Sequence, residues 1–270
     1  LKKLLFMLFT VVLLAACGNE EKSSETKEKA GNETLKVASL IPPMTDILEV
    51  AKPLLKKEGI DLDIVILGDN VQPNTALAAH EVDANLFQHQ FFMKEFNKAN
   101  GADLVAVQKI YYPNFSVYSK KYDSWEDLPK GATLAIANDA SNIDRSLQLL
   151  SQNKVIQLGE KKGTYYTYDD ITENKKDIQF KEVDLLMLAR AYDEVDAVTL
   201  YPAYASPLGL KPSKDALLQE LPGNDYAIQL VTNKEDENNE AIQKLKKALT
   251  SDEVREYLEK NFKETSIPAF

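Results

Sequence analysis

With 270 residues, 44% of them hydrophobic, the chain can build one large domain or two lobes with their own cores, and its composition is not that of a disordered protein. Its formal charge of −10, from 42 Asp and Glu against 32 Lys and Arg, argues against nucleic acid as a partner, because a phosphate backbone needs a basic patch. A single cysteine leaves no internal disulfide and no four-cysteine metal site.

Lys2 and Lys3 precede an apolar run at 4–14, and Leu14-Ala15-Ala16-Cys17-Gly18 follows. A basic start, a short apolar stretch and small residues before a cut predict a secretory signal over 1–16. The run is too short for a comfortable membrane span. Leu-Ala-Ala-Cys resembles the bacterial lipobox, in which the cysteine is acylated, with palmitate for example, and becomes the first mature residue. Cys17 is therefore expected to carry a lipid anchor on the extracytoplasmic face of the cell membrane; the alternative is a free thiol near an ordinary cleavage site. The stretch "NEEKSSETKEKAGNET" at 19–34 has no large apolar residue to bury, so 17–34 reads as a lipidated cysteine and flexible tether.

From Leu35 onward β-type and helical patterns alternate. A strand is expected at 35–40 and a helix at 45–57, with Ile47, Leu48, Ala51, Leu54 and Leu55 on one stripe and Pro53 as a kink. Gly59 ends that helix, and "LDIVIL" at 62–67 reads as a strand buried on both faces, so a βαβ unit and a parallel sheet are expected. The pattern goes on with a helix at 74–79, an extended segment at 84–87, and a helix at 90–100 closed by Asn100-Gly101. Strands follow at 104–110 and 133–137, then a helix at about 141–152. A strand at 178–181, a helix at 184–192, and strands at 197–200 and 227–232 come next. Two amphipathic helices at about 239–249 and 252–262 end the chain. Two α/β lobes around a cleft are expected, with the ligand beyond the carboxyl ends of the strands.

The enzyme signatures are absent: there is no Gly-x-Ser-x-Gly elbow, Gly-x-Gly-x-x-Gly, P-loop or His-Glu-x-x-His. No catalytic residue and no cofactor is expected. His80 and His89 are nine apart with no cysteine nearby, so no metal site is expected either. "IANDASNIDRSLQLL" at 136–150 places Asn138, Asp139, Ser141 and Asn142 as candidate N-caps, with Arg145 in the first turn of the helix. A cation there opposes the helix dipole, which points to a ligand carboxylate held by Arg145 and free N–H groups. The alternative is a surface arginine balanced by Asp139 or Asp144. In "NLFQHQFF" at 85–92, His89 and the phenylalanines suit a pocket wall for an apolar side chain, or else a satisfied core histidine. Tyr111, Tyr112, Phe115, Tyr118, Tyr201 and Tyr204 add aromatic mass at strand ends, shared between core and pocket.

"KPLLKKEGIDLDIVILGDNVQPNTAL", "VDANLFQHQFFMKEFNKANG", "YSKKYDSWEDLPKGATLAIANDASNIDRSLQLL" and "YASPLGLKPSKDAL" together resemble the NlpA/MetQ-type methionine-binding lipoproteins from about Leu35 to the C-terminus. The resemblance implies an α/β, two-lobed type II periplasmic-binding-protein-like fold with a central ligand cleft. It implies a lipid-anchored substrate-binding protein of an ABC importer that captures methionine, a methionine derivative or a short peptide and delivers it to a permease and its ATPase. It also implies ligand-binding roles for Arg145, on the ligand carboxylate, and for Asn142, His89, Phe87, Tyr118 and Tyr204. One lobe is expected at 35–118 plus 226–270, the other at 119–225. Two departures stand out: Ala203 and Ile228 occupy positions where the family commonly has asparagines for the amino-acid head group. A surface adhesin without a transport role and a transition-metal-binding lipoprotein are the alternatives.

Overall fold

Leu35 and Val37, separated by the exposed Lys36, bury one face of β1 (Glu33–Ser39) beneath α1 (Met44–Lys57). The computed structural model describes residues 33–221 and 223–270, so the expected signal, Cys17 and nearly all of the tether lie outside the described residues. Along α1, Ile47, Leu48, Ala51 and Leu55 are buried at helical spacing, and the helix runs through Pro53 to Lys57. β2 (Ile60–Ile66) pairs in parallel with β1, Leu35 opposite Leu62. It is the outer strand of its sheet, so Asp61 and Asp63 face out; the strand is not buried on both faces as its apolar run suggested. α2 (Gln72–Ala78), β3 (Ala84–His89), α3 (Gln90–Asn100) and β4 (Leu104–Pro113) follow. Gly101 ends α3 in the left-handed region, at φ 63°, which a glycine adopts without steric penalty.

The chain then enters a second sheet. β5 (Ser116–Tyr118), β6 (Thr133–Ala137), α4 (Ala140–Gln152), β7 (Ile156–Leu158), β8 (Ile171–Asn174) and β9 (Gln179–Val183) come in order. The helix expected at 184–192 is a 3-10 turn at Leu185–Met187 followed by the short α5 (Leu188–Ala191). β10 (Ala197–Leu200), α6 (Pro202–Ala205), α7 (Pro212–Asp215) and β11 (Ala216–Gln219) complete this part. Its sheet has the order β11-β5-β10-β6-β9, with β10, β6 and β9 parallel and β5 antiparallel to both β10 and β11.

The chain returns with β12 (Ile228–Asn233), α8 (Glu240–Leu249), α9 (Asp252–Asn261) and β13 (Ser266–Pro268). β12 inserts antiparallel between β3 and β4, giving the order β13-β4-β12-β3-β1-β2. The expected parallel sheet is thus mixed, because the returning strand runs against its neighbours. Ile242, Leu245 and Leu249 of α8 and Val254 and Leu258 of α9 join α1 in covering this sheet. Tyr118 sits in the second sheet, so the sheet change falls between Pro113 and Ser116, earlier than the expected boundary at 118, and the return falls between Gln219 and Ile228. The fold is α/β and two-lobed, each lobe built on one sheet with its own buried cluster.

Candidate ligand cleft

Parallel strands aim their carboxyl ends at one edge of a sheet, and here those edges meet. β1, β3, β6 and β10 end beside the cleft, and β12, running the opposite way, begins there, with Ile228 opposite His89. The cleft has a volume of about 590 Å³, its mouth included. Phe87, His89 and Phe92 line it from one lobe, and Asn142, Tyr201 and Tyr204 from the other. β3 is buried along its whole length, and Gln88 is fixed by hydrogen bonds with Asn74 and Asn85.

His89 closes β3 and caps α3. Its backbone is extended, and its Nδ1 accepts the N–H of Phe92 at 3.2 Å. That bond puts the ring proton on Nε2, which is left to the side chain of Asn142. Burial and the neighbouring Arg145 cation together push the imidazole down to about 3, only partly opposed by Asn142, so the ring is neutral. It stands edge-on to Tyr226, 5.2 Å between centroids.

Across the cleft, Asp139 is the N-cap of α4: its Oδ1 accepts the N–H of Asn142 at 3.0 Å and the Ser141 hydroxyl at 2.7 Å. Its Oδ2 accepts from Asn142 Nδ2 at 2.7 Å, while Asn142 Oδ1 accepts the Tyr201 hydroxyl at 2.5 Å. The Asn142 amide is therefore held from both ends. Burial keeps the Tyr201 phenol protonated, up to about 12, with Arg145 opposing, and burial also raises Tyr111 and Tyr204.

Arg145 lies in the second turn of α4, not the first, and it is fully buried. Its Nε donates to Glu220 Oε1 at 2.9 Å and its Nη2 to Glu220 Oε2 at 2.5 Å, with a further bond from Nη2 to the Pro113 carbonyl at 3.3 Å. Three rings surround the guanidinium: Phe115 at 4.8 Å, Tyr201 at 4.9 Å and Tyr226 at 4.6 Å. Burial works most strongly against the charge, but Glu220 and Tyr201 together outweigh it and hold the pKa above the ordinary arginine value. Nη1 is buried without a hydrogen-bond partner. Neither Asp139 nor Asp144 balances this residue. Arg145 grips both segments that join the lobes, since Pro113 and Phe115 belong to one and Glu220 and Tyr226 to the other.

Phe87, His89, Asn142 and Tyr204 line the cleft, with Arg145 beside it. Tyr118 does not line it: this side chain lies in the core of the second lobe among Ala135, Val198 and Leu200, because β5 is interior to its sheet. Sequence reasoning missed Glu220, Tyr226 and the orienting role of Asp139. Tyr226 donates its hydroxyl to Asp144 at 2.7 Å and receives Gln148 Nε2 at 3.0 Å, pinning the returning segment to α4. Only Asp139 carried a local signal, its place before a helix. Away from the cleft, the exposed His80 and Glu235 lie beside Asp236, with His80 Nε2 3.6 Å from Glu235 Oε1. Among the described residues no helix is long and apolar enough to cross a membrane.

Residues 35–270 match the model of the NlpA lipoprotein family. The methionine-binding lipoprotein MetQ of Bacillus subtilis strain 168 is 35% identical over 261 residues, covering 95% of this chain and 93% of that protein. A YaeC-family lipoprotein of Enterococcus faecalis V583 is 45% identical, with a TM-score of 0.78 over 88% of this chain and all of that one. A nutrient-binding protein from Burkholderia cenocepacia, solved bound to methionine, is 36% identical, with a TM-score of 0.83 over 87% of this chain and all of that one. With a family match across nearly all of the described chain, and the cleft formed where its two sheets meet, this chain belongs to the NlpA lipoprotein family.

Proposed function

We propose that this protein is the substrate-binding component of an ABC importer, held on the extracytoplasmic face of the membrane by a lipid on Cys17. It captures a small amino-acid-type ligand, such as methionine, a methionine derivative or a short peptide, and delivers it to a permease driven by its ATPase. The observation that carries this reading is the cleft between the two lobes, lined by Phe87, Phe92, His89 and Tyr204, whose rings suit an apolar or thioether side chain. The printed name of the Bacillus subtilis relative and the methionine in the Burkholderia cenocepacia protein support the ligand class. Asn142 and His89 supply fixed polar contacts from opposite walls. Residues 35–113 and 228–270 form one lobe and 116–219 the other, so closure is a movement about the segments Arg145 grips. The role is capture, without turnover.

Mass spectrometry of small molecules released from the purified protein, with calorimetry on whatever is found, tests this reading. One bound amino-acid-type molecule per chain, and lost uptake of it on gene deletion, is the expected result. A protein that releases nothing, binds no such molecule and leaves uptake unchanged when deleted overturns it.

A further inference from the structure

One aromatic ring of the second lobe is buried against the first. The loop at 159–167, between β7 and β8, keeps Glu160, Lys162, Gly163 and Thr164 exposed, yet Tyr165 within it is only 9% exposed. Its ring stands edge-on to Phe91 of α3, 6.3 Å between centroids, and its hydroxyl donates to the Phe91 carbonyl at 3.2 Å. The Glu95 carboxylate, one turn further along α3, stands beside the same phenol as a second acceptor. Burial and Glu95 both raise the phenol's pKa, so the hydroxyl stays a donor. Both acceptors belong to the other lobe.

The loop itself is braced within its own lobe. The Gly159 N–H donates to the Asp170 carbonyl at 2.8 Å, and Asp170 Oδ2 accepts the Thr167 N–H at 2.8 Å, closing the base. Asp144 Oδ1 of α4 accepts the Tyr166 N–H at 2.7 Å and Lys161 Nζ at 2.9 Å. A loop held this way gives up little further freedom when its tyrosine docks. Opening the cleft must then pull Tyr165 away from α3, because Asp144 keeps the loop with the second lobe. The contact also reaches the cleft wall. Phe91 packs on Tyr226 at 4.9 Å, Tyr226 stands against His89 at 5.2 Å, and His89 is the cap of the helix turn that Tyr165 holds.

Building on the ligand-capture reading above, we propose that the loop at 159–167 is a latch between the lobes, in which Tyr165 fastens the second lobe to α3 and sets how long a captured ligand is retained. Tyr165 is a positioning residue: it lies outside the set that lines the cleft and acts by keeping the His89 wall against the Asn142 wall. Its bond exists only while the lobes are together, so its loss speeds release and leaves entry into the open cleft unchanged.

Stopped-flow binding of L-methionine to the full chain in detergent reads both rates. Tyr165→Phe keeps the ring and removes the hydroxyl. Dissociation should quicken at least about threefold, as one hydrogen bond allows, with association within about twofold of wild type. Tyr168→Phe, which loses a hydroxyl bonded to Glu182 inside the second lobe, should match wild type in both rates. A second measurement needs no ligand. Spin labels on Lys98→Cys and Glu126→Cys, one exposed position in each lobe, report the distance between lobes by double electron–electron resonance. Adding Tyr165→Phe should enlarge the longer-distance population. Unchanged dissociation, a loss confined to association, or a distance distribution identical to wild type overturns the latch. L-methionine that binds neither protein overturns methionine as the captured ligand, and the distance distribution then decides the latch.

Discussion

His89 Nδ1 accepts the backbone N–H of Phe92, so the ring that caps α3 is also a wall of the cleft. One side chain thereby joins helix stability to ligand shape. The imidazole is committed as a neutral acceptor on one side and a donor on the other. A metal would compete with the helix for Nδ1 and would bring a second positive charge beside Arg145.

That commitment has a pH signature. The ring titrates near 3 when folded, against about 6.5 for an exposed histidine. Between those values the unfolded chain binds a proton that the folded chain does not, so stability rises with pH across the window and is lost on acidification. The His89 contribution to this slope is at most about 1.4 kcal/mol per pH unit. His89→Asn keeps a capping side chain and removes the titration. Urea denaturation from pH 7 to pH 4 should show wild type losing more stability than the variant; parallel slopes would contradict the buried neutral ring.

Glu220 and Arg145 form a buried pair in which each is the other's main partner. Removing one partner should cost about 3–5 kcal/mol, because a bare buried charge remains. Glu220→Leu is thus expected to be strongly destabilised. Arg145→Met combined with Glu220→Leu should recover most of that loss. A double-mutant cycle in urea measures the coupling, and additive single effects would show that the pair is not closed.

Asp139 caps α4 and also holds Asn142 Nδ2. Asp139→Ala is expected to lose about 1 kcal/mol of stability from the cap alone. Ligand affinity should fall about tenfold as well, because the Asn142 amide loses one of its two anchors. Calorimetry with L-methionine, beside a thermal melt, separates the two effects.

Ala203 and Ile228 both line the cleft, at positions where the resemblance leads one to expect asparagine. Ala203→Asn with Ile228→Asn adds two side-chain carbonyls that accept from an ammonium. L-methionine should then bind at least about tenfold tighter than it does to wild type, a single charge-assisted bond being worth roughly 1.5–3 kcal/mol. Isothermal titration of both proteins reads this directly.

Cys17→Ala should appear in the medium or as uncleaved precursor, measured by fractionation and intact mass, since the acylated thiol is the expected anchor. Membrane-retained, processed Cys17→Ala protein would contradict the anchor.

The sequence by itself determined what depends on local periodicity and local chemistry. The apolar stripe of α1, the paired amphipathic helices α8 and α9, the glycine that ends α3 and the capping run before α4 were all legible, because each is written within a few turns of chain. Phe87 and His89 also read as cleft residues at a strand end. The tertiary structure alone decided the rest. β5 and β13 are three residues long and β11 four, too short to show alternation, and they exist because neighbouring strands satisfy their backbone groups. The antiparallel return of β12 follows from long-range pairing, not from its own residues. Above all, the pairing of Arg145 with Glu220 was not legible. Arg145 was legible as a buried-ligand candidate, but Glu220, which holds its Nε and Nη2, lies 75 residues away and is brought to it only where the two linking segments converge. Pairing between buried charges is a property of distance in space, and local sequence carries no record of it.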